Sequence, residues 1–384
     1  MDRNETTFAC TAIRVVRDLP AAAARWLDRV DPGVHRRIKG LRLITAYGIA
    51  AMFGAMGDIT RGMPDGASLT ALAGGFALWG SVSEGRGTRP ESSRDLVLLS
   101  FAAAVGAASF IVLAPLLLHL ARVGPELVLV SGAFCVGYLR RFGLTGTGIG
   151  SQIYIGQLLA YGADLGHADL PAVAAAGAIA AVASVVPRLL SGPAEHPPPL
   201  AAPSVLHPGM LRPELAMGIQ AATGALLIVL LNATIGLIQS AWAITACTYV
   251  IAGSATGTID RVRRRIIGTA IGVPLGLLFL PLAGAMPFVA WAAAASAMVI
   301  YAMALPERYD IACGAFAFTL IVTLAVAGEH SVPVLAARGW ETLLGGALGL
   351  AAATLLFPLR VSAPAAPSQP HAPEPADQAR RTRS

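Results

Sequence analysis

Charged residues are scarce in this sequence. They make up 13% of the 384 residues, whereas 55% are hydrophobic and the mean hydropathy is +0.65. A soluble domain usually carries roughly 25% charged residues, and one globular core cannot hide so large an apolar excess. The apolar runs are continuous rather than alternating, which indicates helices and not the strands of a barrel. The composition therefore predicts an all-α, polytopic helical membrane protein.

Cysteine is also rare, with four residues in the chain. They form no CxxC or Cys/His pattern, and the seven histidines show no metal-ligand spacing. No G-x-x-x-x-G-K-[ST] sequence is present, so we do not expect a nucleotide-binding loop. No basic patch with interleaved aromatic residues suggests nucleic acid. We therefore expect no enzyme activity, no metal, no cofactor and no nucleic-acid partner.

The apolar runs fall into two sets of six, which predicts about 12 spans. The first set lies near 43–56, 67–82, 96–118, 127–138, 144–161 and 170–186; the second lies near 215–231, 235–253, 266–286, 288–305, 311–327 and 342–357. Residues 191–213 are too rich in proline for a membrane helix, so we predict a cytoplasmic linker there. The remaining predicted segments are a basic N-terminal segment (1–42), two transmembrane halves (43–190 and 214–358) and a disordered cytoplasmic tail (359–384).

The positions of the basic residues predict the orientation of the chain. With the N-terminus in the cytoplasm, every basic residue except Arg61, Arg122 and Arg338 lies in a segment on the cytoplasmic side. This asymmetry follows the positive-inside rule. The two halves have similar starts, and an even number of spans in each makes them parallel, with a symmetry axis along the membrane normal. The sequence thus predicts two parallel six-helix repeats with both termini in the cytoplasm.

The segment from Asp260 to Gly276 has the most specific pattern. Four arginines, Arg261, Arg263, Arg264 and Arg265, crowd the predicted cytoplasmic entrance of a span. Gly268, Gly272 and Gly276 follow on one helix face, with Thr269 beside them. One interpretation is a topology anchor followed by a helix-packing motif. The other is a cationic vestibule made of Arg261, Arg264, Arg265 and Arg308, which collects anionic substrates because guanidinium groups bind carboxylates with two hydrogen bonds.

Arg338 and Glu341 are charged residues at the predicted external end of the last span. They are three positions apart and share one helix face, so they can form an ion pair. One interpretation is an interfacial anchor, and the other is a pair that carries a proton or ion. No span has an unambiguous acidic residue at its centre, so the sequence alone gives little support to a proton relay.

Two motifs in the second half match the pattern of a known family. Arg265, Gly268, Thr269, Gly272 and Gly276 form an Arg-x-x-Gly-Thr-x-x-Gly-x-x-x-Gly sequence, and Arg338, Glu341, Thr342, Gly345 and Pro358 form the second motif. Both resemble the fusaric acid resistance (FUSC-type) family of bacterial inner-membrane proteins, which includes aromatic acid exporters. The resemblance covers roughly residues 212–358, whereas the first half keeps only the pattern of spans.

The resemblance implies an efflux transporter in the bacterial inner membrane for small organic acids, aromatic ones included. With no nucleotide site expected, the proton motive force or the membrane potential would drive it. The expected partners are the lipid bilayer, small organic anions, a periplasmic adaptor protein and further copies of the chain in a homo-oligomer. The alternative is a non-transporting scaffold or assembly partner in the cell envelope. An adjacent adaptor gene would favour export, and a cell-envelope biosynthesis cluster would favour a scaffold.

Overall fold

A computed structural model describes residues 31, 34–61, 68–85, 88–119, 123–191, 212–305, 307–326, 328 and 331–359. All regular elements in these ranges are helical. The α-helices are α1 His35–Arg61, α2 Leu69–Ser83, α3 Arg89–Leu117, α4 Leu127–Tyr138, α5 Gly143–Gly162, α6 Leu170–Leu190, α7 Pro213–Ile235, α8 Ser240–Val250, α9 Ala255–Leu278, α10 Leu280–Ala285, α11 Pro287–Ala304, α12 Tyr309–Val326 and α13 Val332–Leu355. Most of the predicted N-terminal segment, linker and tail lies outside the described residues.

The helices begin where the sequence supplies capping groups. The Glu91 carboxylate accepts the backbone N–H of Thr88 at 3.0 Å at the start of α3, and Pro90 occupies the first turn. At the start of α9 the Ser254 hydroxyl accepts the N–H of Gly257 at 3.0 Å. These caps place the arginines of residues 261–265 inside α9 rather than in a loop before it. The helix α9 therefore begins before the predicted span 266–286, because hydropathy does not detect the polar first turns of a helix.

Seven helical segments in the described ranges are long and apolar enough to cross a membrane, so the chain is a multi-pass helical membrane protein. One of the seven, Gly124–Gly162, is a hairpin. The chain reverses after the short 3-10 turn Leu139–Phe142, where Gly143 has a φ of 75° that favours glycine. As a result α4 and α5 lie side by side, and Gly150 packs against the Cys135 backbone. The helices α2, α4 and α8 are shorter than a usual membrane-spanning helix. The number of 12 spans therefore remains a prediction.

The two halves use the same set of helix contacts. In the first half α3 packs against α5 and α6, and α2 packs against α6. In the second half the equivalent helices make the same contacts, because α9 packs against α12 and α13, and α8 packs against α13. Between the halves, α4 packs against α7, and α11 packs against α1. If the short helix α10 is left out of the count, the fourth helix of each half therefore contacts the first helix of the other.

The glycines of the predicted helix-packing motif lie between α9 and α12. Gly268, Thr269, Gly272 and Gly276 are all buried. A Cβ atom at Gly268 or Gly272 would collide with the backbone of α12 near Asp310 and Gly314, and one at Gly276 would press against Ile321. Small residues that let two backbones approach closely are a common way to pack helices in lipid. The motif therefore holds α12 against α9.

We expect Gly272→Ala to destabilise the protein by about 1–3 kcal/mol, the usual cost of overpacking a tight contact. The added methyl group would meet the carbonyl oxygen of Gly314. Thermal unfolding of the detergent-purified protein measures the effect. Gly48→Ala in α1 is the matched control, because a Cβ atom there has no neighbour within 4 Å. Equal stability of the two variants would contradict the assignment.

Candidate functional site

The structure separates the four arginines of the predicted vestibule. Arg264 forms an ion pair with Asp260 at 2.9 Å and donates to the Glu307 carbonyl oxygen at 2.8 Å. Arg308 is exposed and pairs with Asp310 at 2.8 Å. Both guanidinium groups are thus already neutralised by neighbouring carboxylates. They are poor candidates for binding a substrate anion.

Arg261 faces a further arginine that the sequence did not indicate. Arg140 comes from the turn between α4 and α5, in the first half, and its charge interacts with that of Arg261. Arg265 donates to the Tyr309 hydroxyl at 3.3 Å. We call Arg140, Arg261 and Arg265 the arginine cluster. It joins the two halves at the end of the bundle predicted to face the cytoplasm.

No carboxylate of the described residues lies within ion-pair distance of the arginine cluster. The Nε atoms of Arg140 and Arg265 are buried and have no hydrogen-bond partner in the same ranges. Burial and the nearby charge of Arg261 lower the pKa of Arg140 to about 10, so this guanidinium stays charged at neutral pH. Buried charges without a counter-ion are unfavourable. A bound anion would relieve this cost, so the cluster is suited to receive one.

Aromatic side chains from four helices form a second group, deeper in the bundle. Phe316 of α12 lies 5.4 Å from the Trp79 ring, 6.1 Å from the Trp242 ring and 6.2 Å from the Tyr301 ring, between centroids. Trp79 and Tyr301 meet edge to face at 6.2 Å. We call Trp79, Trp242, Tyr301 and Phe316 the aromatic cluster. All four side chains are partly exposed, and they come from helices of both halves.

Tyrosines connect the two clusters. Tyr301 and Tyr309 both interact electrostatically with Arg265, and Tyr249 interacts with Arg140 and Arg265. Tyr249 also meets the Tyr154 ring at 5.9 Å. Arg265 of the arginine cluster therefore lies near Tyr301 of the aromatic cluster. Together they can hold a carboxylate at one end and a flat ring at the other.

Arg338 and Glu341 lie on the other side of the aromatic cluster. Arg338 is 8% exposed and stacks over the Trp242 ring at 4.4 Å. Glu341 is fully buried and accepts the backbone N–H of Gln239 at 2.9 Å. The charges of the two side chains interact, and their direct ion pair stays a prediction. Both residues lie inside the bundle, whereas an interfacial anchor would lie at its surface.

No sequence pattern predicted that Arg140 or the aromatic cluster belongs to the site. Arg140 stands in the basic pair Arg140-Arg141 at the entrance of a predicted span, and such a pair is typical of a cytoplasmic loop rather than of a binding site. Single aromatic residues on four separate helices give no signal at all. In the described parts of the chain, no group of three His, Cys, Asp or Glu side chains could hold a metal ion. Cys135, Cys247 and Cys313 are free thiols.

Comparison with known proteins supports the resemblance of the second half. Residues 222–352 match the model of the family described as fusaric acid resistance protein-like. This match confirms the predicted family resemblance for that segment. It includes Arg261, Arg265 and most of the aromatic cluster, but neither Arg140 nor Trp79. No curated protein and no solved structure matches the chain.

Proposed function

We propose that this protein exports small aromatic acids across the bacterial inner membrane. The main supporting observation is the arginine cluster, which has no carboxylate partner among the described residues and lies near the aromatic cluster. The family match relates the chain to membrane efflux proteins, and its apolar helices make it a multi-pass membrane protein. The substrate class rests on the chemistry of the two clusters.

The proposed path runs between the two halves. A carboxylate from the cytoplasm binds the arginine cluster, because guanidinium groups bind carboxylates with paired, charge-assisted hydrogen bonds. The ring of the acid then packs among the aromatic side chains in edge-to-face or offset contacts. Arg338, stacked on Trp242, provides the next positive charge. An inside-negative membrane potential favours anion exit by about 2.3 kcal/mol per charge per 100 mV.

The helix contacts support two parallel repeats of six helices, not counting α10, and the distribution of basic residues supports a cytoplasmic location of both termini. Equivalent helices pair within each half, and the fourth helix of each half packs on the first helix of the other. A two-fold axis along the membrane normal produces this reciprocal arrangement. The arginine cluster then lies at the cytoplasmic end of the axis, where an exporter collects its substrate.

Uptake into inverted membrane vesicles tests the proposal. We expect the wild-type protein to transport benzoate-like acids and not the corresponding aromatic amines. The double variant Arg140→Gln/Arg261→Gln should lose about tenfold or more of this transport, because each charged hydrogen bond is worth about 1.5–3 kcal/mol. Arg264→Gln is the matched control and should retain wild-type transport, since Arg264 already pairs with Asp260.

Two results would oppose this function. The first is wild-type protein that inserts in the membrane and transports none of a panel of aromatic and aliphatic acids. The second is a double variant that transports as well as the wild type. Membrane insertion of each variant is checked by immunoblot, so that a loss of transport is not a loss of protein.

A further inference from the structure

Glu126 is a buried acidic residue at the contact between the two halves. It lies just before α4 and is 5% exposed. Its Oε1 atom accepts hydrogen bonds from the Tyr161 hydroxyl at 2.7 Å, the Asn232 amide at 2.7 Å and the Ser240 hydroxyl at 2.8 Å. Asn232 and Ser240 belong to the second half. The Oε2 atom is buried and has no hydrogen-bond partner among the described residues.

Glu341 is a second buried carboxyl group beside the first. Its Oε1 atom accepts the N–H of Gln239, the residue next to Ser240, so one short turn binds both acids. The charge of Glu341 interacts with those of Glu126 and Arg338. Its Oε2 atom is also buried without a hydrogen-bond partner in the described ranges. Two carboxyl groups thus each direct one unsatisfied oxygen into the interior.

The charges around this pair do not balance when both acids are ionised. Arg338 is the positive group that faces Glu341, and Tyr161 is the titratable group that faces Glu126. Asp164, in the turn after α5, adds a further negative charge near Tyr161. Two adjacent carboxylates cannot both stay ionised at low cost in a buried site. A single proton bound at this site would cancel the excess negative charge of the two glutamates and Arg338.

We propose that Glu126 and Glu341 form a proton-binding site whose occupancy is linked to the relative position of the two halves. The two halves share the hydrogen bonds of Glu126. If the halves move apart at this end, Glu126 loses Asn232 and Ser240, and water reaches both carboxyl groups. The pair then releases its proton, and it takes up a proton when the halves close. Because the pair and the aromatic cluster share Arg338 and α8, proton binding and substrate binding act on the same helices. This role in coupling rests on the proposed transport function.

Infrared spectroscopy of the purified full-length protein tests the proton site without any substrate. We expect a carbonyl band of a protonated carboxylic acid at neutral pH, lost on alkaline titration. Glu341→Gln and Glu126→Gln should each remove that band, and Glu214→Gln in the first turn of α7 should keep it. A wild-type spectrum without the band, or a band that survives in both variants, would overturn the proposal. If Glu126→Gln does not fold, Glu341→Gln alone decides.

Transport in proteoliposomes tests the coupling. Exchange of labelled acid for unlabelled acid reports substrate movement, and the response to an imposed pH gradient reports coupling. We expect Glu341→Gln to keep exchange and to lose the response to the gradient, while Glu341→Asp recovers part of that response. If Glu341→Gln responds to the gradient like the wild type, the coupling role is wrong, whereas the proposed transport function is not contradicted. Absence of exchange in the wild type contradicts the transport function, and the infrared result still decides the proton site.

Discussion

Arg265→Gln is expected to lower the transport of aromatic acids by about 10- to 100-fold. Arg265 is the member of the arginine cluster that donates a hydrogen bond to Tyr309 and lies near Tyr301 of the aromatic cluster. Its loss removes charge-assisted hydrogen bonds to the substrate, worth about 1.5–3 kcal/mol, and each 1.4 kcal/mol is a factor of ten in affinity. Initial rates in proteoliposomes, measured at several substrate concentrations, show whether affinity falls as expected.

Two further variants test whether transport depends on the geometry and on the position of this charge. Arg265→Lys keeps a positive charge but lacks the planar fork, so its rate should lie between the wild type and Arg265→Gln. Arg263→Gln removes a charge from an exposed position of the same helix and should have little effect. If Arg263→Gln and Arg265→Gln impair transport equally, the effect comes from the general field of the helix entrance. The defined arginine cluster would then not be the anion site.

The sequence predicted the helical membrane fold well because apolar runs report directly on burial in lipid. The helices and the predicted spans differ at their ends. The predicted N-terminal segment 1–42 overlaps α1, which begins at His35, and α13 begins at Val332 where the predicted span began at residue 342. At α1 the helix begins in the polar residues before the apolar run, and at α13 it begins in apolar residues that Arg338 and Glu341 separate from the predicted span. Hydropathy finds the apolar part of a helix, whereas capping and backbone hydrogen bonds decide where it ends.

The candidate site was harder to predict because it depends on contacts between the halves. Residues 261–265 indicated a positive entrance, but not which arginines have carboxylate partners. Asp260 lies four residues before Arg264 and pairs with it along the helix, a contact that the spacing allows. Arg140 approaches Arg261 from more than 100 positions away in the chain. Such a contact depends on how the halves pack, and no local pattern encodes it.

The same argument applies to the acidic pair. Glu126 stands near the end of a predicted span, where a solvated position is the ordinary expectation. The structure buries Glu126 where α4 and α8 begin and α5 and α7 end. The helices α5, α7 and α8 each supply one hydrogen-bond donor to its carboxylate. The spacing in the sequence predicted that Glu341 can form an ion pair with Arg338. Its acidic neighbour Glu126 became apparent only from the packing of the two halves.

Phe316→Leu is expected to reduce the preference for aromatic over aliphatic acids by about tenfold. Phe316 contacts the three other rings of the aromatic cluster. Aromatic pairs contribute about 0.5–1.5 kcal/mol beyond their buried area, and leucine retains apolar volume without the ring. The measurement is the ratio of the rates for a benzoate-like acid and an aliphatic acid of similar length. The rate for the aliphatic acid should change little.

Phe318→Leu is the matched control for this prediction. Phe318 lies on the same helix but packs against Phe279 at 5.5 Å, away from the aromatic cluster. The control should therefore keep the wild-type selectivity. If Phe316→Leu slows both acids equally, the ring serves only to pack the helices. If it changes neither rate, the substrate does not pass the aromatic cluster. Loss of selectivity with the aliphatic rate preserved is the one result that places the ring of the substrate between the two halves.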